Sequence, residues 1–297
     1  LPRRLVLLGQ YPPTVVLEPG QSLLEALLAL DQRGVRHGVV VDNEGRLQGI
    51  LSIRRILSLI DRRLGQGESV YKGLEESRVE ELMWRNPPRV ILGEYGIEDV
   101  IYIMSRLNVG AVTVVDRDER VLGIVSEKHI TGIMAMTSIN VAVHEIMTSP
   151  AESLGRDARL REALSIMASH RYRHVPLVDE EGRVEEMVTA RDIIGYVALE
   201  PTLEKLREGR DSEVFNIPAS SIATGAPATV EPDVDVSRAL RAMKKMGISG
   251  LAVVDQEGRL QGIVTERDAV IKLPKVVGTE IFYDQARSRL YVARIVS

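Results

Sequence analysis

The sequence predicts an α+β protein built from four tandem β-α-β-β-α units, with a short β-hairpin extension at its C-terminal end. Three observations carry this expectation. One pattern of fifteen residues occurs four times: "VDNEGRLQGILSIRR" (41–55), "VDRDERVLGIVSEKH" (115–129), "VDEEGRVEEMVTARD" (178–192) and "VDQEGRLQGIVTERD" (254–268). In each copy an aspartate (Asp42, Asp116, Asp179, Asp255) is followed ten residues later by a hydroxyl (Ser52, Ser126, Thr189, Thr265). Counting 36 residues back from each hydroxyl reaches Val16, Val90, Ser153 and Thr229, each just after a Pro-containing stretch.

Each unit reads in the same order. The segment at Val16, Val90, Ser153 or Thr229 is a short strand. Seven residues on, at Leu23, Ile97, Leu160 and Val236, an apolar helical pattern begins. In the last copy Leu240, Met243 and Met246 recur at a spacing of three, on one helix face. "GLAVVD" is then a buried strand, "QEGR" a hairpin turn carrying glycine, and "LQGIVT" the return strand, with a second helix after the hydroxyl.

A unit of this size buries too little surface to stand alone, so units should pair. The intervals between first-strand positions are 74, 63 and 76 residues, from Val16 to Val90, Ser153 and Thr229 in turn. The long intervals hold charged inserts, which pairs repeat 1 with 2 and repeat 3 with 4. The resulting boundaries are 1–62, 79–139, 140–200 and 214–273. Residues 274–297 lie outside the repeat; "GTEIFYDQARSRLYVARIV" alternates as a hairpin turning near Gln285 to Ser288, either an edge cover or a docking strand for a partner.

Bulk composition narrows the function classes. The chain has 297 residues, 44% hydrophobic, and no cysteine, so disulfides, thiolate metal sites and cysteine nucleophiles are excluded and a cytoplasmic location is expected. From Leu1-Pro2-Arg3-Arg4 onward no long apolar run is followed by a small-residue cleavage site, so no secretion signal is expected. The longest charge-free window, Ile130 to Val143, is shorter than a spanning helix, so no membrane span is expected. A net charge of -4 with interspersed signs argues against nucleic acid as a partner.

This architecture resembles the CBS-domain family, whose units pair into Bateman modules. Four in register, from about Tyr11 to Lys272, are similar to the gamma subunit of AMP-activated protein kinase and to stand-alone four-CBS proteins of archaea. The resemblance implies two modules closing a disc as a monomer or a homodimer, clefts between paired units that bind adenosine compounds, and no catalysis.

The copies diverge where the second helix begins. A Ser or Thr followed three residues later by a carboxylate, as in Thr189 with Asp192 and Thr265 with Asp268, is a helix-capping signature. Repeats 1 and 2 instead carry Arg55 after Ser52 and His129 after Ser126. The first strand varies in step: Val16 and Val90 are apolar, Ser153 and Thr229 carry hydroxyls. Capping gives no reason for that joint change; a nucleoside site does, since a carboxylate accepts both ribose hydroxyls and a helix N-terminus suits phosphate.

Carried over from the resemblance, Asp192 and Asp268 bind ribose, with Thr189, Thr265, Arg191 and Arg267 near phosphate. Arg173 and His174 match a basic pair that reaches phosphates in the family and are expected to face the Asp268 site. Ser153 and Thr229 are first-strand contributors. Arg36 and His37 repeat the basic pair and would face Ser126 and His129, a degenerate site with Ser52 and Arg55. Glu186 stands where the other repeats have Gly49, Gly123 and Gly262, and would either repel phosphate or face solvent.

His170 and His174 have helical metal-ligand spacing, but one lies at a helix end and the other on a strand, so no metal is expected. No phosphate-cradling glycine loop or nucleophile elbow occurs. The expected function is a non-catalytic sensor of AMP, ADP or ATP, with S-adenosylmethionine or NAD as alternatives, acting between repeats 3 and 4 on a protein effector. The alternative is an interaction scaffold with vestigial clefts.

Overall fold

The computed structural model describes residues 8–136, 139–223 and 227–278. Repeat 1 comprises β1 (Val16–Leu17), α1 (Leu23–Gln32), β2 (His37–Val41), β3 (Leu47–Ser52) and α2 (Ile53–Gln66). After α3 (Val70–Glu76), α4 (Val79–Leu82) and β4 (Trp84–Arg85), repeat 2 follows as β5 (Arg89–Ile91), α5 (Ile97–Leu107), β6 (Ala111–Val115), β7 (Val121–Ser126) and α6 (Glu127–Met134). Repeat 3 is β8 (Leu154–Gly155), α7 (Leu160–His170), β9 (His174–Val178), β10 (Val184–Thr189) and α8 (Ala190–Ala198). The insert α9 (Glu200–Arg207) and α10 (Asp211–Phe215) precedes repeat 4: β11 (Thr229–Val230), α11 (Val236–Met246), β12 (Gly250–Val254), β13 (Leu260–Thr265) and α12 (Glu266–Ile271). A short α13 (Leu273–Val277) extends helix where the sequence suggested that the hairpin extension begins; the rest of that hairpin lies outside the described residues.

The repeated aspartate is explained by the turn it builds. In every copy its Oδ1 accepts the backbone N–H groups two and four residues ahead, as Asp42 does from Glu44 and Arg46 at 2.9 Å each, and Asp116, Asp179 and Asp255 do likewise. This local bonding folds the hairpin. The turn also needs a left-handed residue, Gly45, Gly182 and Gly258 at φ 77°, 79° and 81°, with Glu119 taking the position at 64° in repeat 2.

In each repeat the first strand adds in parallel to an antiparallel hairpin. The register corrects one expectation. Val16 pairs with Val39 and Thr229 with Ala252, but in repeat 2 the equivalent pair is Arg89 with Thr113. Repeat 2 has one more residue between strand and helix, so a fixed count from Ser126 lands on Val90, one position late.

Repeats 1 and 2 join through their hairpins, where Leu47 N–H donates to Glu119 O and Val121 N–H to Gly45 O, and through a shared core of Val39, Ile50, Ala111 and Ile124. Repeats 3 and 4 join in the same way, Val184 to Gly258 and Leu260 to Gly182. Between modules the contacts are helical: α2 packs on α7 and α8, and α6 on α11 and α12. One core therefore runs through repeats 1 and 3 and a second through repeats 2 and 4. The four repeats form a disc in which 1 lies diagonally opposite 4, and 2 opposite 3.

Candidate functional site

Both Ser/Thr-x-x-Asp sequences form reciprocal caps. Thr189 N–H donates to Asp192 Oδ2 at 2.8 Å while Asp192 N–H donates to Thr189 Oγ1 at 3.2 Å, and Thr265 and Asp268 repeat this geometry. In repeat 2 the His129 Nδ1 accepts the Ser126 N–H at 3.0 Å, an imidazole filling the carboxylate's place. Ser52 makes no side-chain cap, and Arg55 donates to the Leu82 carbonyl instead.

The two carboxylates differ in what surrounds them. Asp268 is 8% exposed and saturated by protein: Oδ2 accepts from the Thr265 N–H and hydroxyl, and Oδ1 accepts from Thr148 Oγ1 at 3.0 Å and Lys272 Nζ at 2.8 Å. Asp192 and Thr189 instead line a cavity of about 800 Å³. One wall is apolar, from Leu240, Met243 and Ile248 of repeat 4, beside Ala228 and the Ser249-Gly250 strand entry. All four repeats contribute, since Arg36 and Gly34 enter from repeat 1, Lys128 and His129 from repeat 2, and Arg173, His174 and Arg191 from repeat 3.

This placement corrects the expected grouping. Arg173 and His174 line the cavity with Asp192, and Asp268 is not among its lining residues. Arg36 and His129, expected in a separate degenerate site, line the same cavity, whereas His37, Ser52, Arg55 and Ser126 do not. Thr265, Arg267, Ser153 and Thr229 also lie outside the lining; Thr229 is exposed, and Ser153 precedes β8. Glu186 pairs with Leu177, is half-buried and is not a lining residue, and its Oε2 is buried without a hydrogen-bond partner.

The inner end of the cavity meets a charge cluster with no signal in the local sequence. Arg36 Nη2 bonds Glu266 at 2.6 Å, and Arg173 Nη2 bonds Glu127 at 2.8 Å. Arg267 Nη1 gives Glu127 a second bond at 3.2 Å, and its Nη2 donates to the backbone and side-chain oxygens of Asn108. Burial opposes ionisation of Glu127, but Arg173, Arg36 and Arg267 together hold its carboxyl down at about 2. Arg54 feels the same surplus of cations: desolvation first, then Arg267 and Arg173, lower it to about 10.

His174 is 6% exposed and bonds Ser249 Oγ at 3.1 Å. Burial, then Arg173 and Arg36, push its pKa to about 3, so it is a neutral hydrogen-bonding group at pH 7 and not a phosphate-binding cation. Among the described residues no cluster of metal-ligating side chains occurs, and no helix is long and apolar enough to cross a membrane.

Comparison with known proteins agrees with this architecture. A family model described as the CBS domain matches residues 9–62, 79–135, 143–199 and 219–275. An uncharacterised 33.4 kDa protein from a ribosomal RNA operon of Thermofilum pendens is 38% identical over 294 residues, covering 97% of each chain. A solved structure from Methanocaldococcus jannaschii, described as a candidate archaeal homologue of the AMP-activated protein kinase γ subunit, superposes with a TM-score of 0.80 at 20% identity, covering 89% of this chain and 97% of its own. A conserved protein of Pyrococcus horikoshii superposes at 0.56 with 23% identity, covering 82% and 91%. At these identities the two structures bear on the fold alone.

Proposed function

The chain belongs to the CBS-domain family, and from that premise we propose that it is a non-catalytic regulatory module whose ligand is an adenosine compound, AMP, ADP or ATP before S-adenosylmethionine or NAD. The observation that carries this reading is the single chamber joining Thr189 and Asp192 to an apolar wall and to Arg36 and Arg173. Each part matches one portion of a nucleotide. Asp192 offers carboxylate oxygen to ribose hydroxyls, Leu240, Met243 and Ile248 offer an apolar face to a base, and the N-terminus of α8 with the neighbouring arginines suits phosphate. The volume falls within the usual range for small-molecule sites, roughly 300–1,000 Å³.

The mechanism is differential binding. A ligand touching all four repeats favours one packing of the two modules, and an effector protein in the cytoplasm reads that packing. The Asp192 cleft is the working one in this reading, because Asp192 and Thr189 line the chamber and Asp268 and Thr265 do not.

The test is isothermal titration of ligand-stripped protein with adenosine, AMP, ADP, ATP and S-adenosylmethionine, beside Asp192→Ala. Binding of at least one of these at micromolar level, lost in the variant, supports the reading. No heat from any of them in the wild type overturns it and leaves a scaffold.

A further inference from the structure

The two central ion pairs follow a pattern that the shared fold does not require. Repeats 1 and 3 place an arginine just before the second strand, Arg36 and Arg173, and begin their last helices with Ile53 and Ala190. Repeats 2 and 4 have Gly110 and Ser249 at the arginine position, and begin their last helices with Glu127 and Glu266. Each arginine reaches the glutamate diagonally opposite, so both bonds run between modules. Arg36, Glu266 and Arg173 are attached to the cavity as lining residues, and Glu127 stands behind Arg173.

Charge at this centre is not balanced. Four arginines, Arg36, Arg54, Arg173 and Arg267, crowd two carboxylates. Arg36 Nη1 is buried with no hydrogen-bond partner, 4.0 Å from Glu127. The Arg36 guanidinium, a lining residue of the chamber, thus keeps hydrogen-bonding capacity beyond its bond to Glu266, which suits an anionic oxygen.

We propose that Glu127 and Glu266 are internal counter-anions of the ligand site, and that an anionic group of the ligand takes Arg36 over from Glu266. This rests on the adenosine-ligand reading and deepens it. The exchange releases Arg36 Nη2 from Glu266, both lining residues of the chamber, and so breaks the tie between repeats 1 and 4. Ligand charge, rather than ligand bulk, is then what loosens the contact between modules. A neutral nucleoside fills the chamber without breaking the tie.

The test is Glu266→Gln in the full chain, which removes the competing charge and keeps the shape. Adenosine affinity is expected to stay within about twofold of wild type, while AMP binds about tenfold more tightly. An unchanged ratio of AMP to adenosine affinity, with both still binding, overturns the proposal and leaves the adenosine reading intact. If neither compound binds either protein, the adenosine reading falls, and inorganic phosphate decides the proposal alone: it should raise the thermal midpoint of Glu266→Gln more than that of wild type, and equal shifts overturn it. Glu266→Asp, which withdraws the carboxylate by one methylene and keeps the charge, carries the same comparisons should the Gln variant not fold.

Discussion

Arg173 of repeat 3 and Glu127 of repeat 2 meet at 2.8 Å across the diagonal of the disc, one of two diagonal ion pairs that join the modules beside their helix packing. Glu127 is 1% exposed and accepts from Arg267 as well. Removing one partner of such a pair leaves buried charge uncompensated, at a cost of about 3–5 kcal/mol. Glu127→Ala is expected to lower stability by that amount at pH 7. The folded pKa of about 2 lies below the unfolded carboxylate value, so this contribution is complete above about 4.3 and is lost as pH falls through 2. Denaturant unfolding at pH 7 and pH 2 should find a large difference between wild type and variant at the first and a small one at the second.

Histidine gives a second dependence in a separate window. His174 and His37 both have folded pKa values near 3, each set first by desolvation and then by its neighbouring arginine, Arg173 and Arg36 respectively. Between pH 6.5 and 3 the unfolded chain binds protons that the folded one does not, so stability falls as pH drops. From pH 7 to 5, where carboxylates stay ionised, the slope should approach about 1.4 kcal/mol per pH unit for each of these histidines. The double variant His37→Gln with His174→Gln should flatten the slope; unfolding free energies that run parallel to wild type over this range would contradict the neutral assignment.

The two capping aspartates separate binding from folding. Asp192→Asn should cost about 0.5–2 kcal/mol of stability as a weakened cap, and should abolish adenosine-compound binding. Asp268→Asn should cost more, because Lys272 loses its charge partner and one of the two oxygens that accept from Thr265, Thr148 and Lys272 becomes a donor, with ligand affinity changed by less than about threefold. Titration calorimetry and thermal melts on the two variants give both readouts, and equal losses of affinity would place Asp268 in the site as well.

The repeat was legible because its determinants are local. The aspartate turn acts within a few residues and left its mark four times, and the hydroxyl ten residues on recurs as often although it caps its helix only in repeats 3 and 4. The grouping of the site was not legible. Arg36 and Glu266 are 230 residues apart, and nothing near either reports the other. The sequence reading assigned Arg173 and His174 to Asp268 by family precedent, whereas the disc brings them to the chamber of Asp192. Repeat 2 misled by a single extra loop residue, which a constant spacing cannot register. The glycines at 49, 123 and 262 were visible as a pattern, but their cause is tertiary. Each lies under the segment leading into its partner repeat, Met83-Trp84, Gln10-Tyr11 and Met147-Thr148 respectively.

That crossing supplies the last prediction. A Cβ on Gly262 would lie 2.7 Å from the Thr148 carbonyl oxygen and 2.9 Å from Met147 Sδ. The carbonyl has little room to yield, because Thr148 bonds Ile263 in both directions at 2.8 and 3.0 Å. Gly262→Ala should therefore destabilise by about 1–3 kcal/mol, the usual cost of overpacking. Gly20→Ala, where the added methyl meets nothing within 4 Å, is the control and should stay within about 0.5 kcal/mol. Because Thr148 Oγ1 is also a donor to Asp268, displacing this segment should loosen the hydrogen bonds around Asp268. Hydrogen exchange at residues 147–149 and 262–268 should quicken in Gly262→Ala and not in Gly20→Ala. Equal protection in the two variants would mean that the crossing segment carries no stability, and that glycine at this position serves the strand alone.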